Sequence, residues 1–241
     1  MREHRRDSHS VHAVLREIRP TLTLAVPIIV GQVSQTLMGV TDSAMIGRAG
    51  TVPLAASAFG GNVFNVFFVV GIGLMIPVSI LVSRALGGAK PEEAGEYLRH
   101  GMTLALIFGA VETLMMVALG TQLARFGQPP ELLAVVMPFY LMMAASLTSV
   151  FVYLVLRQFA EAMGHPWVPM VIMLLGVGLN AALNWVFIYG NLGMPALGLT
   201  GAGISTLVSR ALGALVIFVW LRRDPAVRAS VPRCNLSCIV T

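Results

Sequence analysis

Residues 61–82 read GNVFNVFFVVGIGLMIPVSILV, twenty-two positions without an Asp, Glu, Lys or Arg. At 1.5 Å per residue such a run covers roughly 33 Å, enough to cross the hydrocarbon core of a bilayer. Inside lipid a segment must satisfy its own backbone, so the run is expected to be a helix. Five further apolar stretches of similar length lie near 21–43, 102–123, 135–156, 168–189 and 200–221. None shows the alternation of lipid- and lumen-facing residues that marks a membrane barrel. The fold class is therefore all-α: a bundle of six transmembrane helices.

Composition agrees. Hydrophobic residues make up 56% of the chain, charged residues 11%, and the mean hydropathy is +0.81. Soluble domains carry about a quarter charged residues. The net charge of +5 is a matter of topology. Thirteen of the sixteen Lys and Arg fall in the N-terminal tail, the loop after the second span, the end of the fourth and the tail after the sixth. By the positive-inside rule both termini are cytoplasmic. Arg48, Arg125 and Arg210 are the remainder. No nucleic-acid patch is expected.

The organisation read from this pattern is a basic, partly interfacial segment at 1–19, a six-helix unit at 20–221 and a cytoplasmic tail at 222–241, which resembles a linker end or a truncation. Pro20 and Pro27 mark the entrance of the first helix, with a bend expected at Pro27. Gly47–Pro53 and 126–131 are expected to be outer loops. The basic start and apolar run superficially resemble a signal peptide, but the run is too long for one and is read as a retained helix. Val82–Gly87 (VSRALG) recurs at Val208–Gly213, at a different depth, and reads as coincidence. Cys234 and Cys238 lack partner ligands, so no metal site is expected there.

Polar residues inside the spans carry the functional signal. Asp42 ends the first apolar run, and a carboxylate in a bilayer costs several kcal/mol unless paired, hydrated or protonated. Gln32, Gln35, Gly39 and Asp42 step by three, four and three, so they share one helix face. Roughly 33 Å of helix separate Pro20 from Asp42, so position alone also allows a solvated helix end. In the fifth span Asn180 and Asn184 sit at i and i+4. In the sixth, Ser205, Thr206 and Ser209 lie near the outer end, although such hydroxyls often bond their own backbone. Asp42, Asn180, Asn184 and Thr206 share one depth, in the outer half of the membrane.

Other candidates stand apart from that group. Glu112 is a lone mid-span acid, read either as a second titratable site or as a member of a packed, hydrated interior. Asn62 and Asn65 line a cavity or bond between helices. Arg157 and Glu161 form an i,i+4 pair at the cytoplasmic end of the fourth span, a structural pair or gate. None of the five His residues lies in a span.

Three stretches carry a family resemblance. Met38–Arg48 (MGVTDSAMIGR), Leu179–Gly190 (LNAALNWVFIYG) and Gly198–Thr206 (GLTGAGIST) resemble, in order and spacing, first-, fifth- and sixth-helix motifs of multidrug and toxic compound extrusion (MATE) transporters, nearest their NorM-like branch. The resemblance runs from about Ile18 to Leu221. It implies an antiporter in the bacterial inner membrane that exports cationic or amphipathic drug-like molecules against Na⁺ or H⁺. It needs no other cofactor and no catalytic residues. It also implies that Asp42 is the coupling-ion site, surrounded by Asn180, Asn184 and Thr206. Some relatives place an aspartate where Asn184 stands, which leaves the ion open. The family has two six-helix lobes and this chain supplies one, so transport would need a second lobe or partner chain. The alternatives are a transport-inactive truncated fragment or a lipid-linked precursor flippase of the same superfamily. The flippase would favour a strongly cationic cavity, whereas Arg210 is the lone in-span cation. An integral-membrane lipid enzyme would need acid or His clusters for metal, and none appears.

Overall fold

A computed structural model describes residues 4–123, 130–225 and 227. Of the expected outer loop at 126–131, residues 126–129 lie outside the described residues, as does the tail with Cys234 and Cys238, while Pro130 and Glu131 already belong to the fourth helix. Six helices follow in order: α1 (His4–Ala49), α2 (Thr51–Gly87), α3 (Pro91–Gly120), α4 (Pro130–Ala162), α5 (Trp167–Phe187) and α6 (Leu199–Arg223). A single 3₁₀ turn, Asn191–Gly193, lies between the last two. Each helix contains a stretch long and apolar enough to cross a membrane, and there is no strand among the described residues.

The helices outrun the apolar stretches that announce them. α1 passes through both Pro20 and Pro27 as one helix of 46 residues. A proline removes one backbone donor and crowds one carbonyl, a local defect that a long helix carries across. Between α1 and α2 stands Gly50 alone, with φ 136°, a backbone conformation that only glycine adopts without strain. The expected loop thus contracts to a corner, because Leu54–Phe59 is Ala-rich and continues the helix. α3 opens on Pro91 at its first position, with Glu92 and Glu93 in the first turn. That placement suits a helix start, where no donor is lost and acids face the positive dipole end.

α4 is the hub. It packs on α2, α3 and α6, while α1 lies chiefly against α5. Half of α4's apolar window is buried, against 11–33% for the others. Its Tyr140, Leu147, Phe151 and Phe159 are fully enclosed. The outer faces keep large apolar groups exposed, such as Val66, Ile80, Leu114 and Leu175, as a lipid-facing surface requires.

Packing in lipid rests on close approach and on hydrogen bonds between helices. A Cβ at Gly71 would lie 2.0 Å from the Phe151 ring, and one at Gly201 would lie 2.5 Å from the Phe187 carbonyl oxygen. Thr113 Oγ1 donates to the Ala144 carbonyl at 3.0 Å and Tyr140 to that of Met116 at 2.6 Å, tying α3 to α4. Tyr153 donates to the Pro169 carbonyl at 3.1 Å, tying α4 to α5.

Candidate functional site

α1, α5 and α6 bring their polar residues together near one end of the bundle. α5 turns back into α6 through a tight connection in which the Leu197 amide donates to the Phe187 carbonyl. Tyr189, in that connection, donates its hydroxyl to the Met45 carbonyl of α1 at 2.9 Å. The Ala49 end of α1, the Phe187 end of α5 and the Leu199 start of α6 are therefore level. From those ends, Asp42, Asn180 and Thr206 all lie roughly 10 Å along their helices, with Asn184 roughly 5 Å along.

Asn184 is the centre of the arrangement. Its Nδ2 donates to Asp42 Oδ1 at 2.5 Å and to Asn180 Oδ1 at 3.3 Å. Both amides are fully buried, whereas Asp42 is half-buried. Two buried polar atoms remain without partners, Asn180 Nδ2 and Asn184 Oδ1. Buried polar atoms in proteins are normally bonded, so this pair of amides has unused capacity beside a carboxylate. Thr206 is buried at the same depth but donates to its own Ala202 carbonyl, and Ser205 to that of Gly201. No hydrogen bond joins Thr206 to the other three. Its hydroxyl oxygen keeps acceptor capacity.

Sequence reasoning left one residue out of this site. Arg210 on α6 directs Nη1 to Ser146 Oγ at 2.7 Å and lies over the Phe64 ring at 4.5 Å. It forms no ion pair with Asp42 among the described residues. The available signal was the arginine itself: a fixed charge within a membrane span marks a functional position by default.

The remaining candidates are separate. Arg157 Nε bonds Glu161 Oε1 at 2.7 Å, and Arg157 Nη1 bonds Gln32 Oε1 at 3.2 Å, joining α4 to α1 at the opposite end. Gln32 is thus part of that contact, away from Asp42. Gln35, Asn62 and Asn65 are exposed on their helices. Glu112 is 3% exposed with Oε2 unpartnered. No hydrogen bond connects it with Asp42.

Comparison with known proteins identifies the family. The MatE family model matches residues 27–186, which include Asp42, Asn180 and Asn184. The chain belongs to the MatE family. Among similar MatE relatives, the probable multidrug resistance protein NorM of Bradyrhizobium diazoefficiens is 34% identical over 207 residues, covering 85% of this chain and 44% of that protein. The counterpart in Mesorhizobium japonicum is 33% identical over 199 residues, covering 82% and 43%. A MATE crystal structure in complex with MaL6 superposes with a TM-score of 0.79 at 26% identity, over 92% of this chain and 50% of that one. The outward-facing conformation of a multidrug resistance MATE family transporter gives 0.78 at 24% identity and shows the shared fold. The chain spans about half the length of the curated relatives it matches. This MatE chain is a membrane protein; the curated relatives carry the name of multidrug resistance proteins, and a similar solved structure that of a MATE family transporter.

Proposed function

We propose that this chain is the ion-binding lobe of a multidrug antiporter of the bacterial inner membrane, exporting cationic or amphipathic molecules against inward Na⁺ or H⁺. The observation that carries the reading is the Asp42–Asn184–Asn180 chain of hydrogen bonds, buried between α1 and α5. An amide suits this task because it works in both senses. Its NH₂ donates to the Asp42 carboxyl oxygen, the arrangement that suits the ionised form. Rotated, its carbonyl oxygen accepts from a protonated Asp42 or ligates a cation lying beside it. Na⁺ is a hard cation that takes oxygen ligands. Asp42, Asn184 Oδ1 and the Thr206 hydroxyl are the donors at hand.

Ion binding and carboxylate charge then decide the conformation. A cation or proton neutralises Asp42, removes its demand for the Asn184 donor and loosens α1 from α5. Drug release follows when the conformation that holds the ion is the one that holds drug weakly. Alternating access requires a second lobe to rock against, supplied by further chain or by a partner. Asp42, Asn180, Asn184 and Thr206 form the site, with Gln32, Gln35, Asn62, Asn65 and Glu112 as secondary candidates for the cavity wall. Arg157 and Glu161 act as a cytoplasmic clasp.

The test is ethidium accumulation in cells producing this chain with the second lobe of a NorM relative, wild type against Asp42→Asn. Efflux that D42N abolishes supports the reading. Efflux indifferent to D42N rejects the coupling role. No efflux above background from the wild-type pair identifies a transport-inactive chain.

A further inference from the structure

Glu112 is the acid that the Asp42 site leaves unused. It lies on α3, roughly 12 Å from the Gly120 end, at 3% exposure and with Oε2 buried without a partner. α3 packs on α2 and α4. From 52 to 83 α2 carries no titratable residue, and from 101 to 120 Glu112 is the one on α3. From 132 to 156 α4 adds Tyr140 and Tyr153. Both hydroxyls are committed to backbone carbonyls, Tyr140 to Met116 and Tyr153 to Pro169. Thr113 donates to the Ala144 carbonyl and Ser146 to that of Met143. Arg210 is held over Phe64 and against Ser146, and forms no ion pair with Glu112 among the described residues.

The chemistry of the group decides what fills this gap. An ionised carboxylate only accepts, so here it would hold a charge with neither donor nor cation, which a buried site penalises heavily. Water is kept out on the α4 side. One turn away along α3, a Cβ at Gly109 would lie 2.8 Å from Thr148 Cα, so the two backbones are in contact. A metal ion needs several oxygen ligands, and no group of three or more His, Cys, Asp or Glu stands together among the described residues. A proton needs one oxygen. The neutral carboxyl then brings its own donor, and helix carbonyls accept such a bond as they do from serine and threonine.

We propose that Glu112 is a proton-binding site in the seam of α2, α3 and α4, separate from Asp42 and not competed for by Na⁺. The lobe then holds two acids of different kinds: one beside amides with unused capacity, one enclosed by apolar helices. Loss of the proton from Glu112 sets an unpaired charge between α3 and α4 and favours their separation. The inference goes beyond the drug-export reading and does not depend on it.

Infrared spectroscopy of this chain in an ester-free detergent at neutral pH tests it, through the carbonyl stretch of a protonated carboxyl, a band that a carboxylate lacks. The expected result is a band present in wild type, retained in Asp42→Asn, lost in Glu112→Gln and unchanged by added NaCl. D42N leaves Glu112 as the one acid inside an apolar stretch, so it decides the matter where E112Q fails to fold. Absence of the band from D42N shows an ionised Glu112, hydrated or paired, and overturns the proposal. A band that survives in E112Q assigns the proton to another acid and overturns it as well. A band in D42N that NaCl removes makes the seam a metal site and overturns the choice of a proton.

Discussion

Asp42 on α1 accepts a hydrogen bond from Asn184 on α5 across 142 residues of sequence, and Asn184 spends its second amide hydrogen on Asn180 one turn below. The carboxylate is thereby held by one amide donor, with no Lys or Arg paired to it among the described residues. Replacing it separates structure from ion binding. Asp42→Asn keeps an acceptor for Asn184, whereas Asp42→Ala leaves a buried N–H without a partner, at a cost of about 1–3 kcal/mol. Thermal unfolding in detergent should rank D42A below D42N and wild type. Radioactive Na⁺ binding should be absent from both variants. Na⁺ uptake by D42N at the wild-type level would remove Asp42 from the site.

Asn184 sets how much negative charge the site offers. The affinity of hard-cation sites rises with the number of charged ligands. Asn184→Asp adds a carboxylate next to Asp42, and two like charges at close range relieve their repulsion by taking up a cation or proton. We expect N184D to raise Na⁺ affinity by about tenfold, or about 1.4 kcal/mol. Isothermal titration with NaCl in nanodiscs checks it, and an unchanged or lower affinity contradicts it.

The Arg157–Glu161 pair joins α4 to α1 through Gln32. Arg157 is 8% exposed, so removing its carboxylate partner leaves a nearly buried charge with one amide oxygen to satisfy it. Glu161→Gln should cost about 1–2 kcal/mol, discounted because the Glu161 side chain is 19% exposed. Arg157→Met combined with Glu161→Leu should cost less than E161Q alone, since no unpaired charge remains. A double-mutant cycle on detergent unfolding midpoints decides it. A double variant less stable than E161Q would refute the account.

Two glycines two residues apart in α2, and so on opposite faces of the helix, should behave oppositely. At Gly71 an added methyl meets the fully buried Phe151 ring, while at Gly73 it meets open space within 4 Å. Gly71→Ala forces α2 away from α4 and should destabilise by about 1–3 kcal/mol. Gly73→Ala should be neutral or stabilising by up to about 1 kcal/mol, the helix preference for alanine. Equal unfolding midpoints for the two variants would place the α2–α4 contact elsewhere.

Much of the architecture was legible because a membrane helix announces itself one segment at a time. Each span satisfies its own backbone, so length and hydropathy suffice to find it. Helix ends were less legible: α2 begins at Thr51 and α3 at Pro91 because polar and Ala-rich turns extend a helix beyond the apolar run. Pro20 and Pro27 carry punctuation in the sequence that α1 overrides. For the site, the depth rule grouped Asp42, Asn180 and Asn184, which share hydrogen bonds, and added Thr206, which lies level with them but bonds its own helix. The stripe of Gln32, Gln35 and Asp42 follows one helix face, yet Gln32 pairs with Arg157 at the far end of the bundle.

By itself the sequence determined that this chain is six membrane helices, and it set the expectation that a carboxylate near the end of the first stands level with two amides of the fifth. Those are properties of single segments, set by the cost of polar groups in lipid. Which side chains touch was decided by tertiary structure alone. Helix rotation and crossing fix whether a polar face meets Asp42, a distant arginine or its own backbone, and packing around α4 sets both. Arg210 is the clearest case: a lone basic residue in the sequence is held in the structure over the Phe64 ring of α2 and against Ser146 of α4.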